Sequence, residues 1–140
     1  MFEHIRSQFT ATFGDVNDLQ VIMAPGRVNL IGEYTDFNEG FVFPMTVDRG
    51  VYVGIRGRTD QQVRVFSSRF GELIEYQLDE FEQPDSGHWS CYVLGVVEEL
   101  RVLGLVPHGF DAVIDGNLNL GAGLSSSAAL ETATALALQA

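Results

Sequence analysis

Lysine is absent from this sequence, and all eight basic residues are arginine. A phosphate loop of the lysine-bearing Walker type is therefore excluded, so any phosphate must be held by backbone N–H groups, arginine or metal. Basic charge is also scarce in total: 8 Arg stand against 19 Asp plus Glu, a net charge of −11 over 140 residues. Acid spread along the whole chain repels nucleic-acid phosphate and anionic lipid, which argues against a nucleic-acid or membrane partner but leaves room for local capture of a small anion. One cysteine, Cys91, allows no intramolecular disulfide, and His4, His88 and His108 lie too far apart to form a local metal motif. A reducing, cytoplasmic setting is expected. No run of about 18 apolar residues occurs, and Met1 to Arg6 lacks the basic-then-apolar pattern of a leader, so neither secretion nor membrane spanning is indicated.

What is present suffices for a core: 46% of residues are hydrophobic and 19% charged, against the pattern of a disordered acidic tail. The length suits one domain or a piece of one. Phe2, Ile5, Phe9 and Phe13 recur at helical spacing before Gly14, which predicts an N-terminal packing helix. Leu19 to Met23 reads as a strand that ends in a turn at Pro25-Gly26. Phe41 to Phe43, Val51 to Ile55, Val63 to Phe66 and Leu73 to Tyr76 are short, β-branched or aromatic runs that read as strands, several of them antiparallel. Trp89, Tyr92, Val93, Val96, Val97, Leu100 and Leu103 form an apolar helical stripe closed by Gly104 and Pro107. Cys91 sits beside that stripe and reads as a packing residue. Phe110, Ala112 and Ile114 alternate with Asp111, Val113 and Asp115, a further strand that ends in a Gly116-Asn117 turn. From Ser125 onward helix propensity is high, and the expected helix reaches Ala140 with no stop signal, which suggests a truncated chain. The class is α+β, a mixed sheet with packed helices.

Two segments concentrate chemistry. Gly121 to Glu131 places two glycines and three serines at a strand-to-helix junction, where glycine lets backbone approach an anion and the helix start aims free N–H groups at it. A serine hydroxyl there can also turn an oxygen toward Mg²⁺. A merely capped helix start has the same composition, so the segment by itself leaves both readings open. The second segment, Ala24 to Gly40, crowds Arg27, Glu33, Asp36 and Glu39 among Gly and Asn turn formers. Ionised carboxylates accept hydroxyl protons and could grip a sugar, and arginine could stabilise a transferring phosphoryl group. A solvated surface cluster of Arg and carboxylates remains the alternative.

At these two segments the sequence resembles the GHMP kinase superfamily and, within it, the galactokinase family. The stretch GRVNLIGEYTDFNEG resembles the galactokinase signature, and GAGLSSSAALE resembles the superfamily's phosphate-binding motif, in the same order and at the same separation. The resemblance implies the ribosomal protein S5 domain 2-like N-terminal domain of a two-domain kinase, with residues 1–140 as its N-terminal part and the C-terminal domain missing. It also implies phosphorylation of D-galactose at the anomeric hydroxyl by ATP with Mg²⁺. Carried over residue by residue, Arg27 becomes the transition-state stabiliser, and Glu33, Tyr34, Thr35 and Asp36 the sugar-binding stretch. Gly121, Ala122, Gly123, Leu124, Ser125, Ser126 and Ser127 would cradle phosphates, with Ser127 as the Mg²⁺ contact and Ser67 as a further nucleotide contact. The catalytic Asp would lie beyond Ala140. Tyr34 and Phe37 stand where family members usually carry His and Tyr, and Phe37 offers no hydrogen bond in exchange. A monomer is expected for the full-length protein. A non-catalytic galactose and ATP sensor, or a kinase for a related sugar, would use the same two motifs.

Overall fold

A computed structural model of the chain describes residues 1–32, 34–80, 84–106, 108–119 and 123–139, with the Asp36 side chain left aside. Five strands form one mixed sheet in the order β1-β2-β5-β3-β4, comprising β1 (Gln20–Asn29), β2 (Pro44–Gly57), β3 (Gln62–Ser67), β4 (Glu72–Gln77) and β5 (Phe110–Gly116). Only the β3–β5 pairing is parallel. Helix α1 (Phe2–Phe13) covers one face, while α2 (Ser90–Val102) and α3 (Ser126–Ala137) cover the other. The α+β class and mixed sheet expected from the pattern are thus observed.

The pleat of β2 explains the two cores. Val51, Val53 and Ile55 point toward α2 and α3, where they meet Val93 and Val97 of α2 and Ala129, Ala133 and Ala137 of α3. Tyr52 points the other way, against Ile5 and Phe9 of α1. Gly54 lies on that same α1 side, where a Cβ would come within 2.5 Å of the Ile5 side chain. Ile5 and Phe9 are completely buried, each contributing roughly 2 kcal/mol of apolar burial, and α1 stops as expected at Gly14, whose N–H bonds to the Thr10 carbonyl at 3.0 Å. The last helix has two faces: Ala133 and Ala137 are buried, whereas Leu136 is half exposed. The helix expected to reach Ala140 ends at Ala137 with Leu138 as its C-cap, and Ala140 itself lies outside the described residues.

Two sequence expectations are corrected. The Pro25-Gly26 turn is instead a register shift inside a continuous β1, where the strand bulges between Pro25 and Arg27 and keeps pairing with β2. Phe41 to Phe43 is not a strand, since β2 begins at Pro44 and these side chains are exposed. The strand expected over Phe110 to Asp115 is observed as β5, and Asp111 and Val113 are both fully buried because the strand is central and α1 covers its second face. Asp111 is satisfied there by Arg56 at 2.6 Å, Arg64 at 2.7 Å and Arg58 at 3.1 Å. Arg56 and Arg64 in turn lie over the rings of Phe9 and Phe13, which fastens α1 to the sheet.

Candidate functional site

The bulge in β1 brings the two motif segments together. Gly26 packs so closely that a Cβ there would lie 2.5 Å from Leu118, 3.0 Å from the Leu124 carbonyl oxygen and 3.2 Å from Val47. The N–H of Arg27 donates to that same carbonyl at 3.0 Å. The strand carrying Arg27 is therefore bonded directly to the loop that opens α3, one residue before Ser125. The Arg27 side chain is exposed, and among the described residues no carboxylate pairs with it.

Past Asn29 the chain folds into a braced loop. The Leu30 N–H bonds to the Phe43 carbonyl and the Phe43 N–H to the Ile31 carbonyl, each at 2.9 Å, which closes its base. Thr35 braces the interior: its hydroxyl sits 2.6 Å from the Gly32 carbonyl and 3.0 Å from that of Phe41, and its own carbonyl accepts from the Gly40 N–H at 2.8 Å. Gly32, at φ 102°, passes within van der Waals reach of the returning chain at Phe41 and Val42, which leaves no space for a side chain. Tyr34 adopts a left-handed backbone at φ 60°, and its ring projects outward, edge-on to Phe37 with centroids 6.2 Å apart. Non-glycine residues in that conformation are strained and cluster at functional sites. Glu33, Gly121 and Ala122 lie outside the described residues, as does the Asp36 side chain; the Asp36 backbone opens the short 3-10 turn Asp36–Asn38.

Beside the phosphate-type loop lies a cleft of about 570 Å³. It opens where the ends of β3 and β5 meet the N-termini of α2 and α3, with Ser67, Ser126 and Ser127 on its lining. Ser125 precedes α3 in a left-handed conformation and its side chain caps nothing. The first N–H groups of α3 are therefore left for a ligand, at the positive end of the helix dipole. Gly123, at φ 70°, has open space where a Cβ would be, so the loop is not filled from within.

The opposite wall is aromatic. The rings of Trp89 and Phe70 stack at 6.1 Å with an 11° tilt, and Tyr92 follows one helical turn after Trp89. Glu72 stands at the edge, where its Oε2 accepts from the Trp89 indole Nε1 at 2.7 Å and meets His88 Nε2 at 3.2 Å. The indole hydrogen bond, reinforced by His88, holds the Glu72 carboxyl below the usual carboxylate range. Sequence reasoning missed this wall. Trp89 lies on the apolar stripe of α2 and is buried in the core as that stripe predicts, while its place at the N-terminal end of the helix, beside a sheet end, also sets it on the cleft lining with the exposed Tyr92. Cys91 is partly buried, with its thiol 3.2 Å from the Asp85 carbonyl. Among the described residues no group of three or more His, Cys, Asp or Glu could hold a metal; the Ser126 and Ser127 hydroxyls and the Asp115 carboxylate are the hard oxygens that line the cleft near the loop.

Comparison with known proteins agrees with this geometry. The galactokinase galactose-binding signature matches residues 7–57, and the GHMP kinases N terminal domain matches residues 91–140. The galactokinase of Bacillus subtilis is 42% identical over 99% of this chain and 36% of its own length. That of Chloroflexus aurantiacus is 47% identical over 86% of this chain and 31% of its own length. Among solved structures, Lactococcus lactis galactokinase complexed with galactose superposes with a TM-score of 0.85 at 40% identity, over 93% of this chain and 34% of that one. The Methanococcus jannaschii mevalonate kinase shares the fold, with a TM-score of 0.74 at 22% identity over 85% of this chain and 39% of that one. The chain thus spans about a third of the length of the relatives it matches.

Proposed function

We propose, for a chain that belongs to the GHMP kinase superfamily and matches galactokinases along nearly its whole length, that the full-length protein transfers the γ-phosphoryl group of ATP to the anomeric hydroxyl of D-galactose. The observation that carries this reading is the bond from the Arg27 N–H to the Leu124 carbonyl, which sets an exposed arginine beside an uncapped, serine-rich helix start. Phosphoryl transfer depends mainly on positioning and on stabilising charge on the transferring group, and these parts supply both.

The cleft suits a nucleotide, since its volume falls in the range of small-molecule sites and its lining joins an aromatic wall to polar groups at one end. In this reading the base stacks against Trp89, and the phosphates run past Ser67 to the N–H groups and hydroxyls of Gly123 to Ser127. Ser127 offers its hydroxyl oxygen to Mg²⁺, which when bound would neutralise phosphate charge. Arg27 stabilises charge developing on the γ-phosphoryl group. The loop of residues 24–40 forms the sugar site: Glu33 and Asp36 accept sugar hydroxyls, the exposed Tyr34 phenol adds a hydrogen bond, and Thr35 keeps the loop in shape through its two carbonyl contacts. The carboxylate that takes the hydroxyl's proton comes from sequence beyond residue 140. The setting is cytoplasmic and the full-length protein a monomer.

The test is an assay of the full-length protein with galactose and Mg-ATP, reading galactose 1-phosphate and ADP together. Stoichiometric formation of both supports the proposal. Binding of both ligands without turnover would overturn it in favour of a sensor, and turnover of mevalonate or homoserine with none of galactose would reassign the substrate.

A further inference from the structure

Trp89 occupies the N-cap position of α2, and its ring edge is fastened by a chain of contacts that reaches away from the helix. The Ser90 N–H points at His88 Nδ1 at 3.3 Å, and the Ser90 hydroxyl lies 2.6 Å from the same nitrogen. A ring nitrogen that receives a backbone N–H is an acceptor, so the neutral His88 carries its proton on Nε2. Nε2–H then donates to Glu72 Oε2 at 3.2 Å, and the indole N–H donates to that same oxygen at 2.7 Å. Two donors converging on one carboxylate oxygen fix the direction from which the indole can be held. Phe70 supports the ring from its face, and His88 lies against it at 5.5 Å. Phe70, Glu72 and His88 reach the cleft together with Trp89, and Glu72 sits opposite Ser67 in the β3–β4 pairing.

Resting on the nucleotide reading of the cleft, we infer that Glu72, steered by His88, is a positioning residue for nucleotide recognition: it locks the Trp89 indole in the orientation against which the base stacks. The energetic logic is pre-organisation. An indole free to rotate must be ordered when the base arrives, and that cost comes out of the affinity for the base. An indole already pinned through its N–H adds its stacking surface without it. The effect falls chiefly on the base, because the Glu72 carboxylate takes the indole N–H, whereas the phosphates end at the N–H groups that open α3.

Three variants of the full-length protein test this, with ATP, galactose and inorganic tripolyphosphate as probes. Tripolyphosphate has phosphates and no base, so it reads the phosphate loop without the aromatic wall. Glu72→Leu is expected to raise the KM for ATP about tenfold, the effect of one lost charge-assisted hydrogen bond. The KM for galactose, kcat and the inhibition constant of tripolyphosphate should change by less than about twofold. Glu72→Gln keeps a carbonyl acceptor for the indole and should recover most of the loss. An ATP KM unmoved by Glu72→Leu, or a parallel weakening of ATP, tripolyphosphate and galactose, would overturn the positioning role. Trp89→Leu separates that failure from a failure of the cleft reading. If it weakens ATP while Glu72→Leu does not, the cleft binds nucleotide and only the role of Glu72 falls. If it leaves ATP untouched, the base does not stack there and the inference falls with the reading beneath it.

Discussion

Replacing Gly26 by alanine should damage the protein in a way that follows from three distances. The added Cβ would lie 2.5 Å from Leu118 Cδ2, 3.0 Å from the Leu124 carbonyl oxygen and 3.2 Å from Val47 Cγ2. The Leu118 side chain is buried and cannot swing into solvent, and the carbonyl is backbone, so at least one packed neighbour must move by several tenths of an ångström. Overpacking of this kind costs about 1–3 kcal/mol, and lengthening the bond from the Arg27 N–H adds about 1 kcal/mol, for a total of about 2–4 kcal/mol. Activity should suffer more than stability. The oxygen that must retreat ties the arginine strand to the serine loop, and misplacement on the order of 1 Å near reacting groups costs on the order of 10²-fold in rate. Urea unfolding of full-length Gly26→Ala, combined with kcat at saturating galactose and ATP, measures both effects. Gly95→Ala is the control: Gly95 sits within α2 with open space around its Cβ position, so alanine there should stabilise by up to about 1 kcal/mol and leave kcat alone. Wild-type stability and kcat in Gly26→Ala would refute the claim that this contact joins the two motifs.

Three further outcomes are expected. Arg27→Ala should lower kcat by roughly 10²-fold with little change in either KM, since the exposed arginine pairs with no carboxylate among the described residues; steady-state kinetics would instead show a raised KM and intact kcat if it served ground-state binding. Asp36→Asn should weaken galactose binding while leaving ATP affinity nearly intact in calorimetry, the reverse pattern contradicting its place in the sugar site. Asp111→Asn should destabilise by about 3 kcal/mol in chemical denaturation, because three arginines lose a completely buried partner. Burial pushes the Asp111 carboxyl up, but hydrogen bonds from Arg64 and Arg56 outweigh it and hold the carboxyl below its ordinary value. Its contribution is therefore complete above the ordinary carboxylate pKa of about 4 and fades as pH falls through the lowered native value, so the difference between wild type and Asp111→Asn should shrink on acidification.

Much of the fold could be read from local pattern. Helices α1 and α2 show a 3.6-residue apolar period, β3 and β4 carry β-branched or aromatic runs, and the glycine-serine segment opens a helix in the chain as it does in space. Such features depend on neighbours a few residues away, which is why composition and spacing report them. The sequence also contained both motifs whose resemblance pointed to a sugar kinase.

Other features depend on which strands meet. Pro25-Gly26 carries a strong turn signal, yet pairing with β2 on one side and the close approach of Leu118 and Leu124 turn it into a bulge. Asp111 and Val113 share the face of β5 opposite Phe110, Ala112 and Ile114, and α1 over a central strand buries that second face as well. Trp89 sits on an apolar helical stripe like any core residue, and what marks it as the wall of a cleft is a carboxylate from β4 that meets its ring edge. Periodicity along the chain records how each segment divides its own apolar and polar faces. It holds no record of what lies across from them, so the bond between Arg27 and Leu124, and the cleft beside it, were decided by tertiary packing alone.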